Sequence, residues 1–262
     1  MRIGYLGDEN SHTYAAATAF AKDKTVDAFC GFGSVSDALA AVGDSCDIAV
    51  VPVENSIEGT VAETVDCLGH AGLFIVAELV LPVRQALVVI NGGRADRIER
   101  VYSHPQALAQ CRQHIREILP KATPVAVAYT SAALDLVDEK SAAIARVAKA
   151  GQAILVEDMG DAEHNRTRFL AVGKTPQPVG NKASVTFTLP NEPGALLCAL
   201  NVFAAFGANM TKIESRPDKK QMGSYEFYVD FVFAKGQLNE ILAALAGVTR
   251  VTYLGRYDEY KA

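Results

Sequence analysis

Short apolar runs alternate with helix-period segments along the first 173 residues, and that alternation sets the expected fold class. Residues 2–6 read as a strand, followed by an Ala-rich helix over 13–22 and a second strand over 26–32. Ser34 stands where an N-cap belongs, ahead of a helix over 35–42. The run DIAVVPV (47–53) is continuously apolar, as suits a strand buried on both faces, and a helix over 60–68 follows. Two long apolar runs, 73–82 and 85–90, come next. The alternation then restarts with a strand over 100–102 and a helix opened by Pro105. Ala107, Leu108, Cys111, Ile115, Ile118 and Leu119 give that helix an apolar stripe. A strand over 124–128, a helix capped by Thr130, and strands over 142–145, 153–156 and 168–173 complete the series. The pattern predicts an α/β domain with a mainly parallel sheet, split into two lobes by the crossover near residues 73–90.

The grammar changes after KTPQPVGNK (174–182), whose prolines and glycine mark a linker. Strand 183–189, helix 194–206, strands 209–215 and 224–233, helix 238–245 and strand 248–257 give β-α-β-β-α-β, the ferredoxin-like order. Two domains are therefore expected, 1–175 and 183–262.

Composition narrows the partners. The 262 residues carry a net charge of −5, are 50% hydrophobic and 21% charged, an ordinary globular balance. Mild acidity argues against a nucleic-acid partner, since such proteins usually present a basic surface. No apolar run approaches the roughly 20 residues of a membrane helix, and the first residues lack an export signal, so no membrane association is expected. Cys30, Cys46, Cys67, Cys111 and Cys198 are scattered, with no C-x-x-C pair, as suits reduced thiols in the cytoplasm.

Several chemical motifs fail. Gly31-Phe-Gly33 follows a strand, but Ser36 occupies the third glycine position of a dinucleotide fingerprint, and Gly4 to Gly7 lacks the set as well. The five histidines (12, 70, 104, 114, 164) never fall in ligand spacing, so no metal is expected. What remains are four polar clusters at the ends of expected strands, where open α/β sheets bind ligands. They are Asp8 to Thr13, with Ser11 and Thr13 at a helix mouth; 53–60 (VENSIEGT), a hydroxyl- and amide-rich turn; Ser103-His-Pro-Gln106; and Asn165-Arg-Thr-Arg-Phe169. Each alone is compatible with simple helix capping. Together they offer hydroxyls, amides and arginine with no nucleophile–base pair. Such a set suits a dicarboxylate that needs orientation and one proton delivered to a leaving group.

VPVENSIEGTV (51–61), SHPQAL (103–108) and NRTRF (165–169) resemble the three signature segments of the prephenate dehydratase family. NEPGAL (191–196) and TKIESRP (211–217) resemble its ACT regulatory module, and the resemblance spans essentially the whole chain. It implies a two-lobed catalytic domain like that of periplasmic binding proteins, followed by a ferredoxin-like ACT domain, in a homodimer or homotetramer. It implies conversion of prephenate to phenylpyruvate with loss of CO2 and water, without cofactor or metal, under feedback control by L-phenylalanine. By the same match Thr167 is the essential residue that protonates or hydrogen-bonds the departing hydroxyl, Asn55, Ser103 and Gln106 orient the substrate, and Arg168 binds its carboxylate. Ser11, Thr13, Ser56 and Thr60 are further substrate-binding candidates. Gly194, Ala195, Leu196, Asn209, Glu214, Ser215, Arg216 and Pro217 are expected to frame the phenylalanine site between paired ACT domains. The first motif departs from the family pattern: Asp8, Asn10 and His12 stand where proline, glycine and an aromatic are usual. That leaves arogenate, the amino analogue of prephenate, as a competing substrate, and a non-catalytic two-lobed sensor or a phenylalanine-responsive regulatory partner as other readings.

Overall fold

In a computed structural model of the chain, residues 1–218 and 224–260 are described. Chain order gives β1 (Arg2–Leu6), α1 (His12–Ala21), β2 (Ala28–Phe32), α2 (Val35–Ala40) and β3 (Ile48–Asn55). The short β4 (Gly59–Thr60), α3 (Ala62–Leu68), β5 (Phe74–Pro82) and β6 (Ala86–Ile90) follow. After a 3-10 turn at Ala95–Arg97 come β7 (Arg100–Ser103), α4 (Pro105–Gln110), α5 (Arg112–Ile118), β8 (Thr123–Ala126) and α6 (Thr130–Asp135). The segment closes with β9 (Ser141–Ala145), β10 (Gln152–Val156) and β11 (Arg166–Gly173). The C-terminal elements are β12 (Lys182–Leu189), α7 (Ala195–Ala205), β13 (Asn209–Pro217), β14 (Tyr225–Val232), α8 (Leu238–Val248) and β15 (Arg250–Tyr257). The chain divides into two units: the first holds residues 1–6, 16–80 and 168 onward, the second residues 7–15 and 81–167.

The first unit carries two sheets. One has the order β2-β1-β3-β11-β5 with β4 on β3, and β1 is parallel to both β2 and β3. The other has the order β13-β14-β12-β15, with all three pairings antiparallel, as the ferredoxin-like order requires. Period-2 alternation on β12 explains how this sheet is buried on both faces. Ala183, Val185, Phe187 and Leu189 pack under α7 and α8 with Phe203, Ile241 and Leu245. From the opposite face Tyr228, Leu254 and Tyr257 join the core formed by Val35, Leu39, Leu68, Ile75 and Val172. The C-terminal sheet is thus packed into the first unit and does not hang from the 174–182 linker. Gly255 permits a close backbone approach: its φ is +119°, and a Cβ there would stand 2.5 Å from the Ile75 carbonyl oxygen.

The second unit is built on a sheet of order β10-β6-β9-β7-β8. Its core gathers Leu87, Val89, Val101, Ala107, Cys111, Ile115, Leu119, Ala142 and Ile144. The expected parallel character holds for β7 with β8 and β9, but β6 runs antiparallel to both β9 and β10.

Three local expectations are corrected. The stripe from Ala107 to Leu119 is buried as foreseen, but the helix is broken at Cys111, whose φ of −114° and ψ of 13° leave the helical range. Thr130 is the first helical residue of α6, not its cap; Tyr129 holds the cap position without a side-chain bond. Thr60 lies in β4 opposite Glu54, not in a helix, because Asn55 Oδ1 accepts from the amides of Ile57 (2.9 Å) and Glu58 (3.1 Å) and folds 54–60 into a hairpin. Ser34 caps α2 as expected, its hydroxyl accepting from the Asp37 amide at 3.0 Å. Among the described residues no helix is long and apolar enough to cross a membrane, and all five cysteines are free.

Candidate active site

The site residues fall into two groups, each set by its own unit. In the second unit, the parallel register Tyr102↔Ala143 places the end of β7 beside the end of β9. Ser103 is fully buried there, and its hydroxyl donates to the Ile144 carbonyl at 2.7 Å, which fixes the two strand ends together. His104 caps α4, its Nδ1 accepting from the Gln106 amide at 3.3 Å, and Pro105 suits the first turn. Gln106 is thereby held on the opening turn of a helix, the position its motif suggested.

The segment ahead of β11 is tied to the same unit. Asn165 accepts the Val83 amide on its carbonyl at 2.9 Å, and its side-chain amide donates to Gln110 Oε1 at 3.3 Å. Thr167, two residues on, is buried at 8% exposure. The loop 7–13 completes the group. Asp8 accepts from the amides of Asn10 and Ser11, and Ser11 Oγ caps α1 by accepting from the Tyr14 amide at 3.0 Å. Thr13 is buried at 6% exposure. Arg146, immediately after β9, donates from its guanidinium to the carbonyls of Asn10 (3.2 Å) and Glu9 (2.9 Å). Burial first, and the Arg146 charge second, push the His12 pKa down to about 4, so its imidazole is neutral at pH 7.

In the first unit, Asn55 shapes the hairpin described above, with Ser56 at its exposed tip. Thr60 Oγ1 donates to Glu214 Oε2 at 2.7 Å and accepts from Lys212 Nζ at 2.7 Å. Both partners lie on β13, so the 54–60 hairpin and the C-terminal sheet are bonded directly.

Arg168 is the centre of a buried ionic cluster. Its Nε lies 3.3 Å from Glu54, NH1 3.1 Å from Glu78 and NH2 2.6 Å from Asp230, which is wholly buried on β14. Lys182 also bonds Glu78 at 2.7 Å, and Lys212 bonds Glu54 at 3.0 Å, so three cations meet three carboxylates. Burial alone would lower the Arg168 pKa, but Asp230 and Glu78 outweigh it and hold the value above that of an ordinary arginine. Asp230 in turn accepts from Ser184 Oγ at 2.6 Å. Each nitrogen of Arg168 already faces a carboxylate, and a substrate carboxylate added here would leave excess negative charge in a buried, balanced cluster.

The effector candidates occupy α7 and β13. Gly194, with φ of +86°, turns the chain into α7 at Ala195 and Leu196. Asn209 opens β13, and Ser215 and Pro217 pair with Phe227 and Tyr225 of β14. Arg216 forms a two-pronged bond with Asp66 of α3 at 2.7 and 3.3 Å, and Glu214 is engaged by Thr60. Sequence reasoning missed Arg146, Glu78, Lys182, Lys212 and Asp230. Arg146 alone carried a usable signal, since it directly follows the apolar run of β9 at a sheet end.

Comparison with known proteins bears on all of this. A family model described as prephenate dehydratase matches residues 3–177, and one described as ACT domain matches residues 183–248. A prephenate dehydratase of Lactococcus lactis is 38% identical over 280 residues, covering 99% of this chain and 98% of the relative. A crystal structure of prephenate dehydratase from Arthrobacter aurescens in complex with L-Phe superposes with a TM-score of 0.85 at 31% identity, covering 99% of this chain and 90% of that one. GqqA, described as a novel type of quorum-quenching acylase, also superposes at a TM-score of 0.85, with 28% identity over 99% of this chain and 98% of its own.

Proposed function

Because this chain belongs to the prephenate dehydratase family and ends in an ACT domain, we propose that it converts prephenate to phenylpyruvate in phenylalanine synthesis and is inhibited by L-phenylalanine. The observation that carries the reading is the gathering of Ser103 to Gln106, Asn165 to Thr167 and the 7–13 loop in one unit, tied by Ser103–Ile144, Asn165–Gln110 and Arg146–Asn10 bonds.

The chemistry asks little else. The electron pair of the bond to the departing carboxylate moves into the ring, CO2 leaves, and the ring hydroxyl departs from the opposite carbon. One proton is taken up, so the dianion yields phenylpyruvate, CO2 and water. Aromatisation drives the step, and the protein must hold the substrate and ease hydroxide away. Thr167 hydrogen-bonds the leaving oxygen, Gln106 orients the substrate, and Ser11 and Thr13 offer hydroxyls and helix-start amides for it. The ring-bearing end of arogenate is the same, so discrimination between the two falls on the side-chain amine against the ketone. Comparison of kcat/KM for the two substrates tests this; a preference for arogenate would replace prephenate as the physiological substrate.

Phenylalanine binds between ACT domains of a homodimer or homotetramer, where Gly194, Ala195 and Leu196 and the strand from Glu214 to Pro217 supply the walls. Arg216 is then the cation for the effector's carboxylate, in competition with Asp66. Asp66→Ala removes that competitor, so the half-inhibitory phenylalanine concentration falls by about 2- to 5-fold, the equivalent of one partly exposed ion pair. Inhibition titrations at fixed prephenate measure it, and an unchanged or raised midpoint contradicts the competition.

A further inference from the structure

Arg168 is committed to Glu54, Glu78 and Asp230, which leaves the question of what cation receives a dianionic substrate. Arg146 is the answer the structure offers. It is partly buried, and among the described residues no carboxylate lies within ion-pair distance of its guanidinium, which donates to the carbonyls of Glu9 and Asn10. Burial lowers its pKa, with Tyr14 and then Asp8 acting the other way. A cation withdrawn from water and held only by neutral carbonyls is an incomplete arrangement, and an anion completes it.

Position agrees. Arg146 follows β9 at the end where Ser103 is bonded to Ile144, and it grips the loop carrying Ser11 and Thr13. Antiparallel pairing of Ala145 with Ala86 carries β9 toward residues 83–85, and Val83 is the residue bonded to Asn165 of the Thr167 segment. All three sequence motifs of this unit therefore converge on the sheet end that Arg146 occupies.

We infer that Arg146 is a substrate-binding residue whose guanidinium takes the carboxylate retained in the product, the one on the pyruvoyl side chain. The choice between the two carboxylates is electrostatic. A fixed cation on the departing carboxylate would stabilise the charge that must leave as neutral CO2, and would hold the ground state more tightly than the transition state. On the retained carboxylate the same charge binds substrate, transition state and phenylpyruvate alike. This rests on the dehydratase reading above.

The test is steady-state kinetics of the purified full-length chain carrying Arg146→Gln and, separately, Arg146→Lys. For Arg146→Gln, KM for prephenate rises about 10- to 100-fold with kcat changed less than about 3-fold, as expected when uniform binding is lost. The inhibition constant for added phenylpyruvate rises by the same factor, a shift that a purely structural role does not produce. Arg146→Lys recovers part of both. An unchanged KM and product inhibition in Arg146→Gln overturns the assignment, as does a fall in kcat at constant KM. Absence of prephenate turnover in the unsubstituted chain would instead overturn the dehydratase reading itself, so the two failures are distinguishable.

Discussion

Thr167→Val lowers kcat for prephenate by roughly 10²- to 10⁴-fold, the range supplied by a positioned proton or hydrogen-bond donor. The substitution keeps the shape of the side chain at a site only 8% exposed, so the fold survives with a loss of about 1–2 kcal/mol for one buried hydroxyl. KM moves little, because the lost interaction is one strengthened as the hydroxide departs. Thr167→Ser restores the donor and with it most of the rate. Turnover of Thr167→Val within a few-fold of the parent would mean that the leaving group is served by another donor.

The second large effect concerns stability and involves a residue outside the family motifs. Asp230→Ala lowers the unfolding free energy by about 3–5 kcal/mol, since it strips Arg168 of its closest carboxylate while keeping the guanidinium buried. Urea unfolding followed by circular dichroism measures it. The double variant Arg168→Met with Asp230→Leu removes one charge of each sign and leaves Lys182 on Glu78 and Lys212 on Glu54, so the remaining cluster stays balanced. It is therefore more stable than Asp230→Ala, and the double-mutant cycle shows strong non-additivity. Independent, additive losses would show that the two side chains do not act as a pair. Since Arg168 follows Thr167 in the chain, Asp230→Ala is also expected to slow turnover through the segment that carries the proposed hydrogen-bond donor.

The two levels of the molecule differ in how far the sequence discloses them. The β-α-β-β-α-β order after residue 182 was legible because period-2 alternation on β12 and the apolar faces of α7 and α8 are local signals. Ser34 was legible as a cap for the same reason. The break at Cys111 was not, because the i, i+4 stripe from Ala107 through Cys111 and Ile115 to Leu119 runs unbroken across it. Thr60 was misplaced because an Asx turn at Asn55 competes with helix initiation over the same residues.

The polar site separates along the same line. Motif segments identify Thr167, Ser103, Gln106 and Asn55 as candidates, but Arg168 shows how far a residue's surroundings escape the sequence. Its partners Glu54 and Glu78 lie 114 and 90 positions away, and nothing in local spacing links it to Asp230. The same holds for Thr60 and Glu214, 154 residues apart, whose bond joins a candidate substrate hairpin to a candidate effector strand. Contacts of this kind connect ligand sites only when one ligand prefers one arrangement, which is what phenylalanine competing with Asp66 for Arg216, two residues from Glu214, would supply.

The most direct test of the account is phenylpyruvate formation from prephenate by the purified chain, followed by the product's absorbance in alkali, with no metal or cofactor added. Turnover that is lost in Thr167→Val and suppressed by L-phenylalanine is the predicted result. An inert chain that turns over neither prephenate nor arogenate would contradict it.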